Sequence, residues 1–348
     1  MTAEERRIGD AAAERPTLKT IAFITGLGVT TVSRALNDAP DIAEATKARV
    51  RMVARQIGYR PNRAGVRLRT GKTNVISLVL SIDTEVLGIT PHIVAGISEH
   101  LAGTRYHLVV TPYRLGSDPL DPVRYIVETG SADGVIFSRT EPRDPRAAYL
   151  HARGFPFATH GRTEMGLVHP YFDFDNERYA ELAVDRLVRR GRRRLALLGP
   201  PARYTYARHM NAGFQRGVER HDATDMVLRT IDADSSEAEI HAEIARVMAG
   251  PRFPDGLVCA SASAAIVAVV AAEAAGRVIG RDFDVAVKES FGLMKKFRAP
   301  IEVIHEDFRS AGAALAHAVL ATIGGAPPEG LQTLEVPEAP ADAVVAFE

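Results

Sequence analysis

The sequence predicts an α/β protein with a small helical N-terminal unit and a larger body that holds parallel β-sheets. Near the N-terminus, three short amphipathic segments are separated by glycine and proline. Farther along, apolar strand-like runs alternate with amphipathic stretches. Alternation at this spacing is typical of parallel sheets with helices on both faces. The 348 residues leave room for two such doubly wound sheets.

The elements of the body follow from this alternation. Strands are predicted at 74–80, 107–113, 134–138, 155–160, 194–199, 256–261 and 283–288. Amphipathic helices are predicted at 91–103, 120–129, 144–153, 177–190, 207–221, 236–249 and 263–275.

Charge is distributed unevenly along the chain. Residues 17–72 carry 11 Lys or Arg and three acidic residues, although the net charge of the whole chain is zero. A basic segment beside a neutral-to-acidic body indicates a module that binds a polyanion. A solvated basic face is the alternative, and charge alone does not decide between them.

Composition excludes several classes of protein. Cys259 is the single cysteine, so neither an internal disulfide nor a cysteine-based zinc site is possible. Residues 1–16 are polar and lack the apolar segment of a secretory signal, and we expect them to form a disordered extension. No apolar run is long enough for a membrane span. We therefore expect a cytoplasmic protein without a membrane partner.

Residues 17–61 have the pattern of a helix-turn-helix unit. Thr17 is expected to cap the first helix, and Gly26 breaks it before a second helix begins. In the second helix, Val32, Ala35 and Leu36 share one buried face, which leaves small polar and cationic side chains on the other. A third helix over residues 44–58 closes the core. Small polar residues at the start of the second helix fit insertion into a major groove.

Residues 62–73 read as a basic linker. Arg63, Arg67 and Arg69 alternate with small or apolar residues. A helix this short is marginal by itself in water. It could fold on contact with DNA.

The segments "TLKTIA", "GVTTVSRALN" and "YRPNRAGVRL" resemble the N-terminal region of the lactose-repressor (LacI/GalR) family of bacterial transcription regulators. The match extends from about residue 17 to residue 80. It implies a DNA-binding head at 17–61, a hinge helix within the linker at 62–73, and an effector-binding and dimerisation body at 74–340. The body is expected to be two periplasmic-binding-protein-like lobes with a ligand cleft between them.

The resemblance also implies which residues contact DNA. In this family the residues matching Val29, Thr30 and Arg34 face bases, and a leucine matching Leu68 wedges into a minor-groove step. Gly28, Ala43 and Gly65 depart from the family pattern of two serine caps and a hinge alanine. The DNA-binding prediction comprises Thr17, Val29, Thr30, Thr31, Ser33, Arg34, Asn37, Tyr59, Asn62, Arg63, Leu68 and Arg69.

Effector-binding residues are predicted where strands end, because ligands of open α/β folds lie beyond the carboxyl ends of strands. The resemblance singles out Arg208, which would clamp sugar hydroxyls or a carboxylate. A surface arginine is the alternative for Arg208, and a helix cap is the alternative for Asp175. The predicted residues are Ser81, Asp83, Ser138, Arg139, Asp175, Asn176, Arg208, Ser261 and Glu289.

Three classes of function remain to be compared. The resemblance implies a repressor of carbohydrate-use genes, released from a palindromic operator by a sugar-like effector, with corepression as the alternative. If the protein were a solute-binding protein or sensor, its basic head would have no function. An enzyme is disfavoured because the sequence lacks GxGxxG, P-loop, GxSxG and HExxH motifs. We therefore expect no catalytic residues, no cofactor and no metal.

A homodimer is expected, because two-fold operators call for two heads. The C-terminal segment "LEVPEAPADAVVAFE" has three prolines and no leucine heptad. This composition predicts a dimer without a tetramerising helical bundle.

Overall fold

The computed structural model describes residues 16–60, 67, 71–81, 89–114, 116–290, 292–296 and 299–338. The chain divides into two compact units between Thr73 and Asn74. Several sequence predictions fall outside the described residues and stay predictions: the extension before residue 16, and Asn62, Arg63, Leu68, Arg69 and Asp83.

The N-terminal unit is a three-helix head. It consists of α1 (Leu18–Thr25), α2 (Val29–Leu36) and α3 (Glu44–Gln56). The Thr17 side chain accepts from the Thr20 N–H and so caps α1, while Gly26 ends that helix in the left-handed conformation at φ 67°. Ile21, Val32 and Val50 contribute one fully buried side chain from each helix. The predicted helix-turn-helix arrangement is confirmed.

The second unit contains two parallel sheets. Sheet one has the strand order β11-β5-β4-β3-β1-β2, and sheet two has the order β10-β9-β8-β6-β7. The strands of sheet one are β1 (Val75–Ser81), β2 (His107–Tyr113), β3 (Gly134–Phe137), β4 (Phe157–His160), β5 (Tyr171–Phe174) and β11 (Gln332–Glu335). Those of sheet two are β6 (Arg194–Leu198), β7 (Thr224–Asp225), β8 (Gly256–Cys259), β9 (Asp284–Glu289) and β10 (Ile301–His305).

Helices flank both sheets. They are α4 (Ile89–Leu101), α5 (Leu120–Thr129), α6 (Pro145–Ala152), α7 (Asn176–Arg189), α8 (Thr205–Arg220), α9 (Glu237–Met248), α10 (Ala262–Ala274) and α11 (Phe308–Ile323). Each sheet with its helices forms a lobe, which we call lobe one and lobe two after their sheets. Every strand and helix predicted for the body is present, within a few residues at its ends.

The chain passes between the lobes more than once. It leaves sheet one after β5 and enters lobe two at α7, then returns from β10 to α11. On its return α11 packs against α4. Gly96 and Gly312 allow this close packing, because a Cβ on either would lie 2.0–2.3 Å from a backbone oxygen of the facing helix.

Among the described helices, none has the length and apolar character that crossing a bilayer requires.

Candidate functional site

The second helix of the head presents a polar surface. Val29, Thr30 and Arg34 are exposed, whereas Thr31 and Ser33 are half-buried. Neither Gly28 before α2 nor Ala43 before α3 provides a side-chain cap, as their departure from the family pattern predicts. A short helix with one buried face and one exposed polar face can enter a major groove and bring side chains to base edges.

Ion pairs within the head fix this surface. Arg34 Nη2 lies 2.5 Å from Asp41 Oδ2, with about half of each side chain exposed. Asp38 receives Lys47 Nζ at 3.0 Å and Arg51 Nη2 at 2.8 Å, which ties the turn after α2 to α3. The hydrogen bond from Lys47 is the main cause that lowers the pKa of Asp38. Contact of Arg34 with DNA stays a prediction, and such a contact would require Arg34 to exchange or share Asp41.

Three other head residues of the DNA-binding prediction have structural contacts. Thr17 forms the capping box with Thr20. Tyr59 packs against the head core, and this burial raises the pKa of its hydroxyl. Asn37 follows α2, and its Nδ2 donates to the Ser33 carbonyl at 2.6 Å. Contact of these side chains with DNA stays a prediction.

A polar cleft lies between the two lobes, at the carboxyl ends of strands from both sheets. The cleft has an empty volume of about 1230 Å³, which includes the open space at its mouth. From lobe one and the start of α7 it is lined by Leu80, Ser81, Thr90, Ile93, Ser138, Arg139, His160, Gly161, Asp173 and Asn176. The remaining lining residues are Pro200, Tyr206, Ala233, Asp234, Ala260, Ser261, Ala262, Lys288, Glu289, Ser290, Glu306 and Phe308.

Most of the predicted effector residues meet in this cleft: Ser81, Ser138, Arg139, Asn176, Ser261 and Glu289. Asp175 and Arg208 are not among its lining residues. Asp175 accepts from the Arg178 N–H at 2.9 Å and caps α7, which is the structural alternative considered for it. The Arg208 side chain is 59% exposed and pairs with Glu164 of lobe one at 2.8 Å. This pair joins the lobes outside the cleft.

Arg139 crosses the cleft to lobe two. Its Nη1 and Nη2 donate to the two Asp234 carboxylate oxygens at 2.5 and 3.1 Å, and Nη1 also lies 3.2 Å from the Tyr204 hydroxyl. Burial works against the charged guanidinium. The contacts with Asp234 outweigh it and hold the pKa of Arg139 above its ordinary value. This salt bridge joins the two lobes.

A buried ion pair supports the loop that carries Arg139. Asp144 caps α6 and binds Arg146 through Nε at 3.0 Å and Nη2 at 2.7 Å. Arg146 is 2% exposed, and its Nη2 also donates to the carbonyls of Ser138 and Arg139. Because these bonds hold the loop backbone, Arg139 keeps its left-handed φ of 57°.

The second cation in the cleft is also neutralised. Lys288 Nζ lies 2.7 Å from Glu306 Oε2 and 3.0 Å from Asn176 Oδ1. His160 approaches the other Glu306 oxygen at 3.5 Å. Burial lowers the pKa of His160, so the ring is neutral at pH 7. Near it, burial raises the pKa of Asp173 to about 7 despite Arg162 at 2.9 Å.

Hydrogen-bonding capacity is left over on oxygen atoms of the cleft. Glu289 is 3% exposed; its Oε2 accepts from the Met294 N–H at 3.1 Å, and its Oε1 has no hydrogen-bond partner among the described residues. In the part of the chain that the structure describes, the buried Ser81 hydroxyl also has no hydrogen-bond partner. Tyr206 and Phe308 add aromatic surface. Such a mixture suits a ligand that carries many hydroxyl groups.

No metal centre is apparent in the part of the chain that the structure describes. There, no group of three or more His, Cys, Asp or Glu side chains is arranged to hold an ion.

Sequence reasoning missed several titratable residues of the cleft. His160 ends a strand that was predicted, so the strand-end rule could have found it. Asp173 and Glu306 lie on or after strands that were not predicted. Asp234 lies in a turn between β7 and α9, where no periodicity marks it. Lys288 precedes Glu289 on β9, and its position beside the family's acidic site was the available signal.

Comparisons with known proteins agree with this architecture. Residues 17–62 match the model described as bacterial regulatory proteins, lacI family, and residues 184–340 match the periplasmic binding protein-like domain. The HTH-type transcriptional regulator AglR of Rhizobium meliloti is 33% identical, with 88% of this chain and 87% of AglR covered. RafR of Escherichia coli, also an HTH-type transcriptional regulator, is 30% identical, with 92% and 96% covered.

Solved structures share the fold. The lac repressor dimer bound to operator and the anti-inducer ONPF superposes with a TM-score of 0.80 at 21% identity, covering 93% of this chain and 97% of that one. The transcriptional regulator CelR in complex with cellobiose gives a TM-score of 0.65 at 22% identity, covering 94% and 99%. With relatives of this identity and coverage, the chain belongs to the lacI family of bacterial regulatory proteins and is a DNA-binding transcriptional regulator.

Proposed function

We propose that this protein represses carbohydrate-use genes and leaves its operator when a neutral saccharide binds the cleft. The observation that carries the proposal is the combination, on one chain, of an exposed polar helix in the head and a cleft whose buried acceptors include atoms without a hydrogen-bond partner among the described residues. The first suits base edges in a major groove. The second suits hydroxyl donors.

The neutral character of the ligand follows from the charges of the cleft. Among its described lining residues, Arg139 and Lys288 are the cations, and each already faces a carboxylate. The acidic side chains are more numerous: Asp234, Glu289 and Glu306, together with Asp173, whose pKa is raised to about 7 by burial. A phosphate or carboxylate would meet this excess of acidic groups, whereas a sugar hydroxyl can donate to Glu289 Oε1. CelR, a structural relative, is known in complex with cellobiose.

We assign effector contacts to the predicted residues that line the cleft: Ser81, Ser138, Arg139, Asn176, Ser261 and Glu289. Arg208 is assigned instead to the contact between the lobes, because its guanidinium is exposed and occupied by Glu164. Asp175 is assigned to capping α7.

The protein is proposed to act as a homodimer on a two-fold operator, because one head offers few base contacts. Operator binding places it with the chromosome in the bacterial cytoplasm. It needs no cofactor for this role, and we propose that it is not an enzyme.

Binding of DNA and effector can be measured in one assay. A fluorescein-labelled duplex from the region upstream of the chain's own gene is titrated with protein, with and without each member of a panel of neutral saccharides that includes cellobiose and maltose. One saccharide is expected to weaken operator binding at least ten-fold. A saccharide that strengthens binding would indicate a corepressor-dependent regulator. Absence of specific DNA binding would favour a non-DNA-binding sensor.

The role of Glu289 in the cleft can be tested by substitution. Glu289→Gln is expected to lose the saccharide response while operator affinity stays within about two-fold, because the head is unchanged. The control is Glu329→Gln, which replaces an exposed carboxylate away from the cleft. A Glu289→Gln protein that responds at the wild-type saccharide concentration would remove Glu289 from the effector site.

A further inference from the structure

The two cations of the cleft, Lys288 and Arg139, differ in the geometry of their contacts. Lys288 is a point charge that contacts a carboxylate and an amide oxygen. Arg139 presents a planar fork, and both of its Nη atoms face the Asp234 carboxylate. This bidentate geometry is the one by which arginine binds carboxylates and phosphates in ligands. Asp234 therefore occupies the position that an anionic ligand would take.

The pair is also sheltered from water. The side chains of Arg139 and Asp234 are 19% and 15% exposed, and both line the cleft. In such surroundings a charge-assisted contact is stronger than on the surface. An anion entering the cleft would have to displace Asp234 to reach the guanidinium.

The position of Arg139 does not depend on Asp234 alone. Its carbonyl accepts from Arg146 Nη2 at 2.9 Å, and Arg146 is itself fixed by Asp144. The next residue, Thr140, accepts the Thr205 N–H of lobe two through its carbonyl at 2.9 Å. These contacts hold the loop backbone at the cleft when the carboxylate of Asp234 is removed, and the Tyr204 hydroxyl, 3.2 Å from Nη1, remains as a partner of the guanidinium.

We propose that Asp234 is a specificity-determining residue that masks Arg139 and thereby excludes anionic sugars from the cleft. The inference deepens the proposed function, since it takes the cleft as the effector site. Besides the general excess of acidic groups, it assigns to Asp234 the part of this exclusion that depends on blocking the Arg139 guanidinium. Replacing that carboxylate with a neutral side chain leaves the Arg139 guanidinium free to bind an anionic ligand.

In the test, isothermal titration calorimetry measures the affinity of the full-length protein for glucuronate, glucose 6-phosphate and glucose. Asp234→Asn and Asp234→Ser are expected to bind at least one of the two anions ten-fold or more tightly than wild type, with no such gain for glucose. Asp234→Glu keeps the carboxylate and is expected to show no gain. Circular dichroism checks that each variant is folded, and the smaller serine provides a second route if asparagine disturbs the loop.

Two controls locate the gained site. The double variant Arg139→Ala with Asp234→Asn is expected to lose the gain, because the guanidinium is gone. Glu164→Gln releases Arg208, an arginine outside the cleft, and is expected to bind the anions as wild type does. Glu164→Gln and Asp234→Asn match in charge change and differ in which arginine is freed.

The outcomes separate this inference from the proposed function. Folded Asp234→Asn and Asp234→Ser proteins without any gain, or a gain that persists without Arg139, would overturn the role of Asp234 while leaving a neutral effector possible. Tight binding of glucuronate or glucose 6-phosphate by the wild-type protein would contradict both the proposed role of Asp234 and the proposal that the effector is a neutral saccharide.

Discussion

The recognition surface of the head and the cleft of the body use the same kinds of side chain under opposite conditions. On α2, Arg34 and its partner Asp41 are about half exposed. In the body, Arg146 and Asp144 are almost completely buried, and Arg139 and Asp234 largely so. An exposed pair is weak and can exchange its partner for DNA. A buried pair cannot lose one member without leaving a charge unpaired.

The two surfaces therefore differ in how accessible their hydrogen-bonding groups are. The head keeps donors accessible on a short helix, so that its polar groups are available to an external partner. The cleft satisfies most of its polar groups internally and leaves a few acceptors, so that only a ligand with matching donors gains by entering. Four substitutions test this difference between the exposed head and the buried cleft, and they are given in order of decreasing expected effect.

The first substitution breaks the buried pair of the body. Asp144→Ala leaves the Arg146 guanidinium without its carboxylate and removes the cap of α6. We expect the free energy of unfolding to fall by about 3–5 kcal/mol, measured by urea denaturation followed by circular dichroism. The control is Arg143→Ala, an exposed position in the same loop. Equal denaturation midpoints for the two variants would contradict the structural role of the pair.

The second prediction concerns pH and Asp173. Its pKa in the folded protein is raised to about 7 from 3.8, mainly by burial, so the folded state holds a proton that the unfolded chain releases. Wild-type stability therefore contains a contribution that is full below about pH 4 and is lost as pH rises toward about 7. A shift of this size corresponds to roughly 4 kcal/mol.

Asp173→Asn should remove that pH dependence, which urea denaturation at several pH values will measure. Asp121→Asn, at an exposed position on α5, is the control and should follow wild type. Parallel stability profiles for wild type and Asp173→Asn between pH 4 and pH 7 would show that Asp173 is ionised in the folded cleft.

The third substitution tests the exposed surface of the head. Arg34→Ala is expected to weaken operator binding by about 1–3 kcal/mol and to relax the sequence preference at one base pair. Saccharide affinity should not change, since the cleft is untouched. Anisotropy titrations with the operator and with single-base variants measure both effects. Arg252→Ala, an exposed arginine of the body, is the control. Uniform weakening on all sequences would make Arg34 a phosphate contact.

The smallest effect is expected at the outer contact between the lobes. Arg208→Ala removes an exposed ion pair with Glu164, and such pairs contribute about 0–1 kcal/mol. Saccharide affinity, measured by calorimetry, should change by only a few fold. Complete loss of saccharide binding with normal stability would mean that Arg208 leaves Glu164 to clamp the effector, as the family resemblance implied.

Sequence patterns predicted much of the fold because its signals are local. The glycine at 26, the cap at Thr17 and the spacing of Val32 and Ala35 are sufficient to place α1 and α2. The strands β5 and β10 were missed because a charged residue interrupts each apolar run, Asp173 in β5 and Glu302 in β10. The helix α11 was also not predicted.

The cleft was predictable only in part, for a physical reason. The strand-end rule placed Ser138, Arg139 and Glu289 at the correct edge of each sheet. It could not predict pairing across the lobes, because Arg139 and Asp234 are distant in sequence and meet only after both lobes fold. The same limit applies to Arg208, whose partner Glu164 belongs to the other lobe.

Coupling between cleft and head is most directly tested by measuring each affinity in the presence of the other ligand. Operator affinity is determined by anisotropy with and without a saturating saccharide, and saccharide affinity by calorimetry with and without operator. Thermodynamic linkage requires both to change by the same factor. The account predicts that each ligand weakens binding of the other at least ten-fold. A saccharide that binds the cleft while operator affinity stays unchanged would contradict it.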